Sequence, residues 1–165
     1  MISDISKFAL DSAHYWEKLF GVQIDGKLVC KSYEMPLKDN STDLIFTFQS
    51  FHHFGKYEKT LKEIYRVLRS GGIALFLYEP SCPNYIYSLA KKRVNRKRPD
   101  VPEDVLKFKE IKKISKQTGF DEIIIDFDAN IINRQPVPTV YYYFLQKIPF
   151  LKYLLPCTAN YILKK

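Results

Sequence analysis

The stretch EMPLKDNSTDLIFTFQSFHHFGKYEKTLKEIYRVLRSGGIALFLYEP, residues 34–80, decides the fold. Leu44 to Phe48 is a short run of apolar, β-branched and aromatic residues, preceded by the turn formers Asn40, Ser41 and Thr42. Its length and composition predict a strand buried on both faces. Tyr57, Leu61, Ile64, Tyr65 and Leu68 then share one side of a helix predicted over 57–69. Ser70-Gly71-Gly72 ends that helix, because glycine enters a left-handed turn without steric cost. Ile73 to Tyr78 reads as the next buried strand.

Working outward, residues 1–4 resemble the last residues of a strand ending in an acid, and 6–20 read as a helix. Ala9, Ala13, Trp16 and Phe20 recur at helical spacing, with Phe8, Tyr15 and Leu19 widening the stripe and Gly21 as the stop. Residues 27–30 predict a short strand, and 33–39 a loop around Pro36. Downstream, 80–102 is irregular and partly basic, with a helix near 85–94. Pro102 opens a helix running to Thr118, Gly119 closes it, and 122–127 is a strand. Proline-punctuated aromatic segments over 141–155 precede a final strand near 159–163. Strands alternating with helices predict an α/β fold with a mainly parallel sheet. Ligands in such sheets gather at the carboxyl ends of the strands, which nominates the segments after Asp4, Cys30, Phe48 and Tyr78.

The 165 residues make one domain, 46% apolar and 27% charged, a globular rather than a disordered composition. The net charge of +8 is partly local, since Lys91 to Arg98 (KKRVNRKR) holds six basic residues in eight. A solvated loop is the favoured reading of that run. Nucleic-acid binding is disfavoured because no aromatic lies within the run to stack a base. Cys30, Cys82 and Cys157 form no CxxC pair, which predicts reduced thiols in a cytoplasmic protein and no metal site. No signal peptide and no membrane span is legible.

The block at 34–80 closely resembles the central part of the class I S-adenosylmethionine-dependent methyltransferases of the small-molecule group called type 11. The matching pieces, in order, are Met35-Pro36-Leu37, Asp43 to Phe48, His52-His53, and Arg66-Val67-Leu68-Arg69-Ser70-Gly71-Gly72. The resemblance extends more loosely over the whole chain. It implies a Rossmann-like sheet with flanking helices, running from the family's second strand to its last. It also implies transfer of a methyl group from S-adenosylmethionine to a small-molecule or lipid-like acceptor. Residues 80–102 correspond to a substrate-side insertion or lid.

The resemblance assigns Asp4 to the ribose hydroxyls, a task suited to a group that only accepts hydrogen bonds. Capping the helix at Ser6 is the competing role for Asp4. Ser32 and Tyr33 fall where the family meets adenine. The family usually has Asp at the position of Lys31, so either backbone groups and the Tyr33 ring hold the adenine, or binding is weaker. Gln49 and Ser50 correspond to the backbone approach to the methionine portion of the cofactor. His53 is the candidate base, able to take a proton from an acceptor near neutral pH; a purely structural loop histidine is the alternative. Glu79 could orient a substrate or pair with a local cation, and His14 reads as incidental.

The family's cofactor loop, an acid followed by Gly-x-Gly after its first strand, has no counterpart among Gly21, Gly26, Gly55, Gly71, Gly72 and Gly119. The chain is therefore expected to be an N-terminally truncated part of such a domain, binding S-adenosylmethionine weakly or not at all when isolated. A degenerate, non-catalytic domain acting through protein contacts is the rival expectation. The aromatic tail around Tyr141 to Leu155 is read as a cover over the sheet, with peripheral membrane contact as its alternative.

Overall fold

The computed structural model describes residues 1–97, 102–129 and 136–165. Strands β1 (Ile2–Asp4) and β2 (Lys27–Val29) pair in parallel as a small separate sheet, joined by helices α1 (Lys7–Asp11) and α2 (Ala13–Phe20). The main sheet contains β3 (Thr42–Phe48), β4 (Leu68–Cys82), β5 (Leu106–Lys107), β6 (Glu122–Asp128) and β7 (Cys157–Lys164). Its order is β3-β4-β7-β6, with β5 paired to the carboxyl end of β4. The β3–β4 and β4–β5 pairings are parallel, whereas β7 runs antiparallel to both β4 and β6. The helices are α3 (Tyr57–Val67), α4 (Tyr87–Lys97), α5 (Phe108–Thr118) and α6 (Pro136–Lys147). This is the expected α/β, Rossmann-like architecture with a mixed sheet. No helix among the described residues is long and apolar enough to cross a membrane.

One face of the sheet is sealed. Leu61 and Ile64 of α3 and Ile111 of α5 pack with Ala74 and Phe76 of β4 and with Ala159, Tyr161 and Leu163 of β7, all buried. The expectation that β3 is buried on both faces fails: Leu44, Phe46 and Phe48 are 49–65% exposed. β3 is an edge strand of the main sheet, and no described element covers those three side chains. The stripe on α1 and α2 is likewise open, with Phe8, Tyr15, Trp16, Leu19 and Phe20 exposed. The single helix expected over 6–20 breaks at Ser12. Ser12 Oγ donates to the Ala9 carbonyl and His14 Nδ1 to that of Asp11, in competition with the helical ladder.

Two further boundaries differ. The basic run Lys91 to Arg98 was expected in a loop but is helical through Lys97, with Arg98 outside the described residues. Residues 99–101 of the segment 80–102 also lie outside them. The helix expected from Pro102 begins at Phe108, because the preceding residues are pinned elsewhere. Leu106 and Lys107 pair with Ser81 and Cys82, and Asp104 accepts from the hydroxyls of Tyr87 and Tyr57.

Arg66 explains why two of the motifs in 34–80 occur together. Its guanidinium donates to the carbonyls of Leu37 (2.9 Å) and Met35 (3.0 Å) while forking onto both oxygens of Glu63. Glu63 in turn accepts from the Met35 amide at 2.7 Å. A planar cation with five donors can hold a loop and a carboxylate at once, which a lysine could not. The clamp fixes the path from β2 to β3 across α3.

Candidate functional site

The parallel pairings set the direction of the strand ends. Asp4 lies opposite Val29, and Phe48 opposite Leu77. Ser32, just after β2, bonds Thr60 of α3 (Oγ to Oγ1, 2.9 Å), and Lys56 donates to the Tyr33 hydroxyl at 3.2 Å. Lys56 and Thr60 lie at the start of α3, which follows the carboxyl end of β3. The ends of β2 and β3 therefore face the same side, and β1 joins them because the Cys30 amide donates to the Asp4 carbonyl.

Each expected site residue has a defined setting. Asp4 is exposed, and its Oδ1 accepts from the Ser6 amide at 2.7 Å. Ser6 itself caps α1 by accepting from the Ala9 amide, so the cap considered for Asp4 belongs to Ser6. The Tyr33 ring lies beneath the Lys56 ammonium, 4.5 Å from its centroid. Lys31 turns to Glu34 at 3.2 Å. Gln49 has φ +48° and donates its amide to the Leu77 carbonyl, bending the chain sharply away from β3. A non-glycine residue held at positive φ is a strained conformation that accumulates at ligand sites.

Glu79 is fully buried and organises the loop after β3. Its Oε1 accepts from the amides of Ser50 (3.0 Å) and Phe51 (2.9 Å). Its Oε2 accepts from the His52 amide (3.2 Å) and from His52 Nδ1 at 2.6 Å. Four donors on one carboxylate stabilise a tight 3-10 turn over Phe51–His53, satisfying the Phe51 and His52 amides while the His53 amide donates to the Ser50 carbonyl. Burial opposes charge on the His52 imidazole, yet the carboxylates of Glu79 and Glu103 outweigh it and raise its pKa.

Reading the sequence did not find His52 or Glu103 as site residues. His52 Nε2 lies 3.1 Å from Glu103 Oε2, and His53 Nε2 3.6 Å from the same oxygen. The adjacent histidines were visible, but Glu103 is 51 residues from His52 and no periodicity connects them. A cavity of about 230 Å³ lies at the carboxyl end of β4, lined in part by Ser81, Arg93, Val105, Tyr141 and Tyr142.

The groups at the strand ends fit an adenosyl ligand. Asp4 retains Oδ2 as a free acceptor among the described residues for a hydroxyl pair. Tyr33 offers an aromatic face, while the amides of Gln49 and Ser50 are engaged by the Leu77 carbonyl and by Glu79.

Residues 2–76 match the family model described as a methyltransferase domain. None of the curated proteins matches the chain. Among solved structures, the YcgJ protein of Bacillus subtilis aligns with TM-score 0.64 at 13% identity, covering 98% of this chain and 79% of that one. A SAM-dependent methyltransferase of Archaeoglobus fulgidus aligns with TM-score 0.60 at 16% identity, covering 99% and 74%. Phosphoethanolamine N-methyltransferase 2 of Haemonchus contortus, in complex with S-adenosyl-L-methionine, aligns with TM-score 0.58 at 18% identity, covering 99% and 42%. Residues 2–76 thus match a methyltransferase domain, and the chain as a whole shares the fold of these solved methyltransferase structures.

Proposed function

We propose that this domain transfers the methyl group of S-adenosylmethionine to a small-molecule acceptor entering at the carboxyl end of β4. The observation that carries the reading is the gathering of Asp4, Ser32–Tyr33 and Gln49–Ser50 at one end of the strands, in a chain whose residues 2–76 match a methyltransferase domain. S-adenosylmethionine supplies a methyl group already activated by its sulfonium, so the chain has to align the acceptor and exclude water. Asp4 would hold the ribose hydroxyls, Tyr33 the adenine face, and the backbone at Gln49 and Ser50 the amino-acid end. His53, partly exposed on the loop after Ser50, would take a proton from an acceptor amine or hydroxyl. Glu79 would orient an acceptor only through the loop it holds, since both its oxygens are engaged.

The cavity beside Arg93 and Tyr141 supports an acceptor with an apolar body and an anionic group. One of its walls is α4, which supports reading 80–102 as a substrate-side element. Phosphoethanolamine N-methyltransferase 2 of Haemonchus contortus was also solved with phosphomonomethylethanolamine, so small phosphorylated amines are the first acceptors to try. The three free cysteines support a cytoplasmic setting. The test is transfer of label from methyl-labelled S-adenosylmethionine to a panel of soluble amines and to phospholipid vesicles. Label in a soluble acceptor supports the proposal, and label only in vesicle lipid redirects it to a lipid-like acceptor. No transfer to any acceptor favours the second reading, a non-catalytic domain acting through protein contacts. The exposed Phe8, Trp16, Phe20, Phe46 and Phe48 favour that second reading.

A further inference from the structure

We propose that His52, His53 and Glu103 bind one divalent transition-metal ion of the zinc type. The His52 imidazole lies between two carboxylates, with Nδ1 2.6 Å from Glu79 and Nε2 3.1 Å from Glu103. The shorter contact sets the tautomer, with Nδ1–H donating to Glu79. The Nε2–Glu103 contact is then bridged either by the second proton of an imidazolium or by a bound metal cation.

His53 distinguishes a metal ion from a second proton on His52. Its Nε2 approaches the same Glu103 oxygen at 3.6 Å, too far for a hydrogen bond, and all three ligand atoms lie within 4.8 Å of one another. Atoms bound tetrahedrally to a zinc ion at roughly 2.0–2.1 Å stand about 3.4 Å apart. The two contacts to Glu103 are within a few tenths of an ångström of that spacing. A proton on His52 would satisfy Glu103 but would not draw in His53, whereas one metal ion accounts for both contacts.

The surroundings are those of a supported ligand set. Glu79 orients His52 through its distal nitrogen, the carboxylate–imidazole arrangement that aims metal-binding histidines. The Asn95 side chain accepts from the Glu103 amide at 3.0 Å and donates to the Glu103 carbonyl at 2.7 Å, so α4 fixes the third ligand. The Tyr57 hydroxyl, donating to the His52 carbonyl at 3.0 Å, steadies the loop from α3. Two imidazoles and one carboxylate select zinc, cobalt(II), nickel(II) or iron(II) over magnesium and calcium, which prefer oxygen donors throughout. Three protein ligands leave a position open. The His53 side chain is 39% exposed, so that position is accessible to water or to an incoming oxygen ligand. The site stands on its own geometry and does not depend on methyl transfer; an ion on His53 Nε2 would exclude that nitrogen from the proton-accepting role.

The experiment uses the full chain, free of any affinity tag and stripped with a chelator, titrated with Co²⁺ and then with Zn²⁺. The expected result is one equivalent of Co²⁺ with visible ligand-field absorption that Zn²⁺ displaces. His53→Ala and Glu103→Gln, both at positions that are not fully buried, should each weaken Zn²⁺ binding on the order of 100-fold or more. Their metal-free circular dichroism should match the parent. Absence of saturable binding in the parent, or unchanged affinity in both variants, overturns the proposal.

Discussion

Replacing Glu79 by alanine should cost about 3–5 kcal/mol of folding stability, the range for breaking a buried, hydrogen-bonded ion pair. Glu79 receives the amides of Ser50, Phe51 and His52 and the His52 imidazole, from a fully buried position. Hydrogen bonds to charged groups contribute roughly 1.5–3 kcal/mol each, so four taken independently overshoot what one side chain contributes net of its own desolvation. The net loss is the smaller figure because truncation also removes the buried charge. For a chain of this size each kcal/mol shifts the thermal midpoint by roughly 2–4 °C, which places the variant about 6–20 °C below the parent. Urea unfolding of the metal-free protein, followed by far-UV circular dichroism, gives the free energy directly. Thr47→Val is the control, because its hydroxyl meets Glu79 only at 3.5 Å and should change stability by less than about 1 kcal/mol. A Glu79→Ala variant within about 1 kcal/mol of the parent would refute the assignment of Glu79 as the organiser of this loop.

Three further outcomes follow from packing and charge. Gly72→Ala should destabilise by about 1–3 kcal/mol in thermal unfolding, because a Cβ there would stand 2.8 Å from the Arg69 carbonyl and 3.2 Å from that of Thr42. Lys165→Met should cost about 1–2 kcal/mol in urea titration. Its ammonium is hydrogen-bonded to the Tyr65 and Leu68 carbonyls at the end of α3, each at 2.7 Å, where a cation also meets the helix dipole. The Arg66 guanidinium holds the Glu63 carboxyl below the usual range, against the opposing effect of burial and with help from the Met35 amide. Its contribution is present above the unfolded glutamate value of about 4.3 and is lost as pH falls through the depressed folded value. Glu63→Gln should therefore flatten the acid limb of a stability–pH profile relative to the parent.

Element order was legible because periodicity and turn residues agreed. Leu61 and Ile64 marked the helix face of α3, and Gly119 in the left-handed conformation ends α5 as its position suggested. Exposure was not legible. Leu44 to Phe48 has the composition of a doubly buried strand whether or not anything covers its second face, and composition does not report neighbours. Strand direction for β7 was also hidden, since an apolar run is the same read either way. The candidate cofactor residues could be named because they lie at strand ends within a recognisable block. Glu103 could not, because its place beside His52 and His53 depends on Asn95 clamping its backbone and on Asp104 being tied to Tyr87. Such side-chain bonds bridge distant segments and leave no repeating trace in the chain.

Cofactor binding by this chain requires the strand ends of β1, β2 and β3 to form one adenosyl-binding surface. Amide chemical-shift mapping of the chain with S-adenosylhomocysteine, taken up to millimolar ligand so that weak binding registers, tests this without any acceptor. The predicted result is a set of saturable shifts at Asp4–Ile5, Ser32–Tyr33 and Gln49–Ser50, diminished by Asp4→Ala. Saturable shifts confined to other surfaces, or none at any concentration, would contradict it.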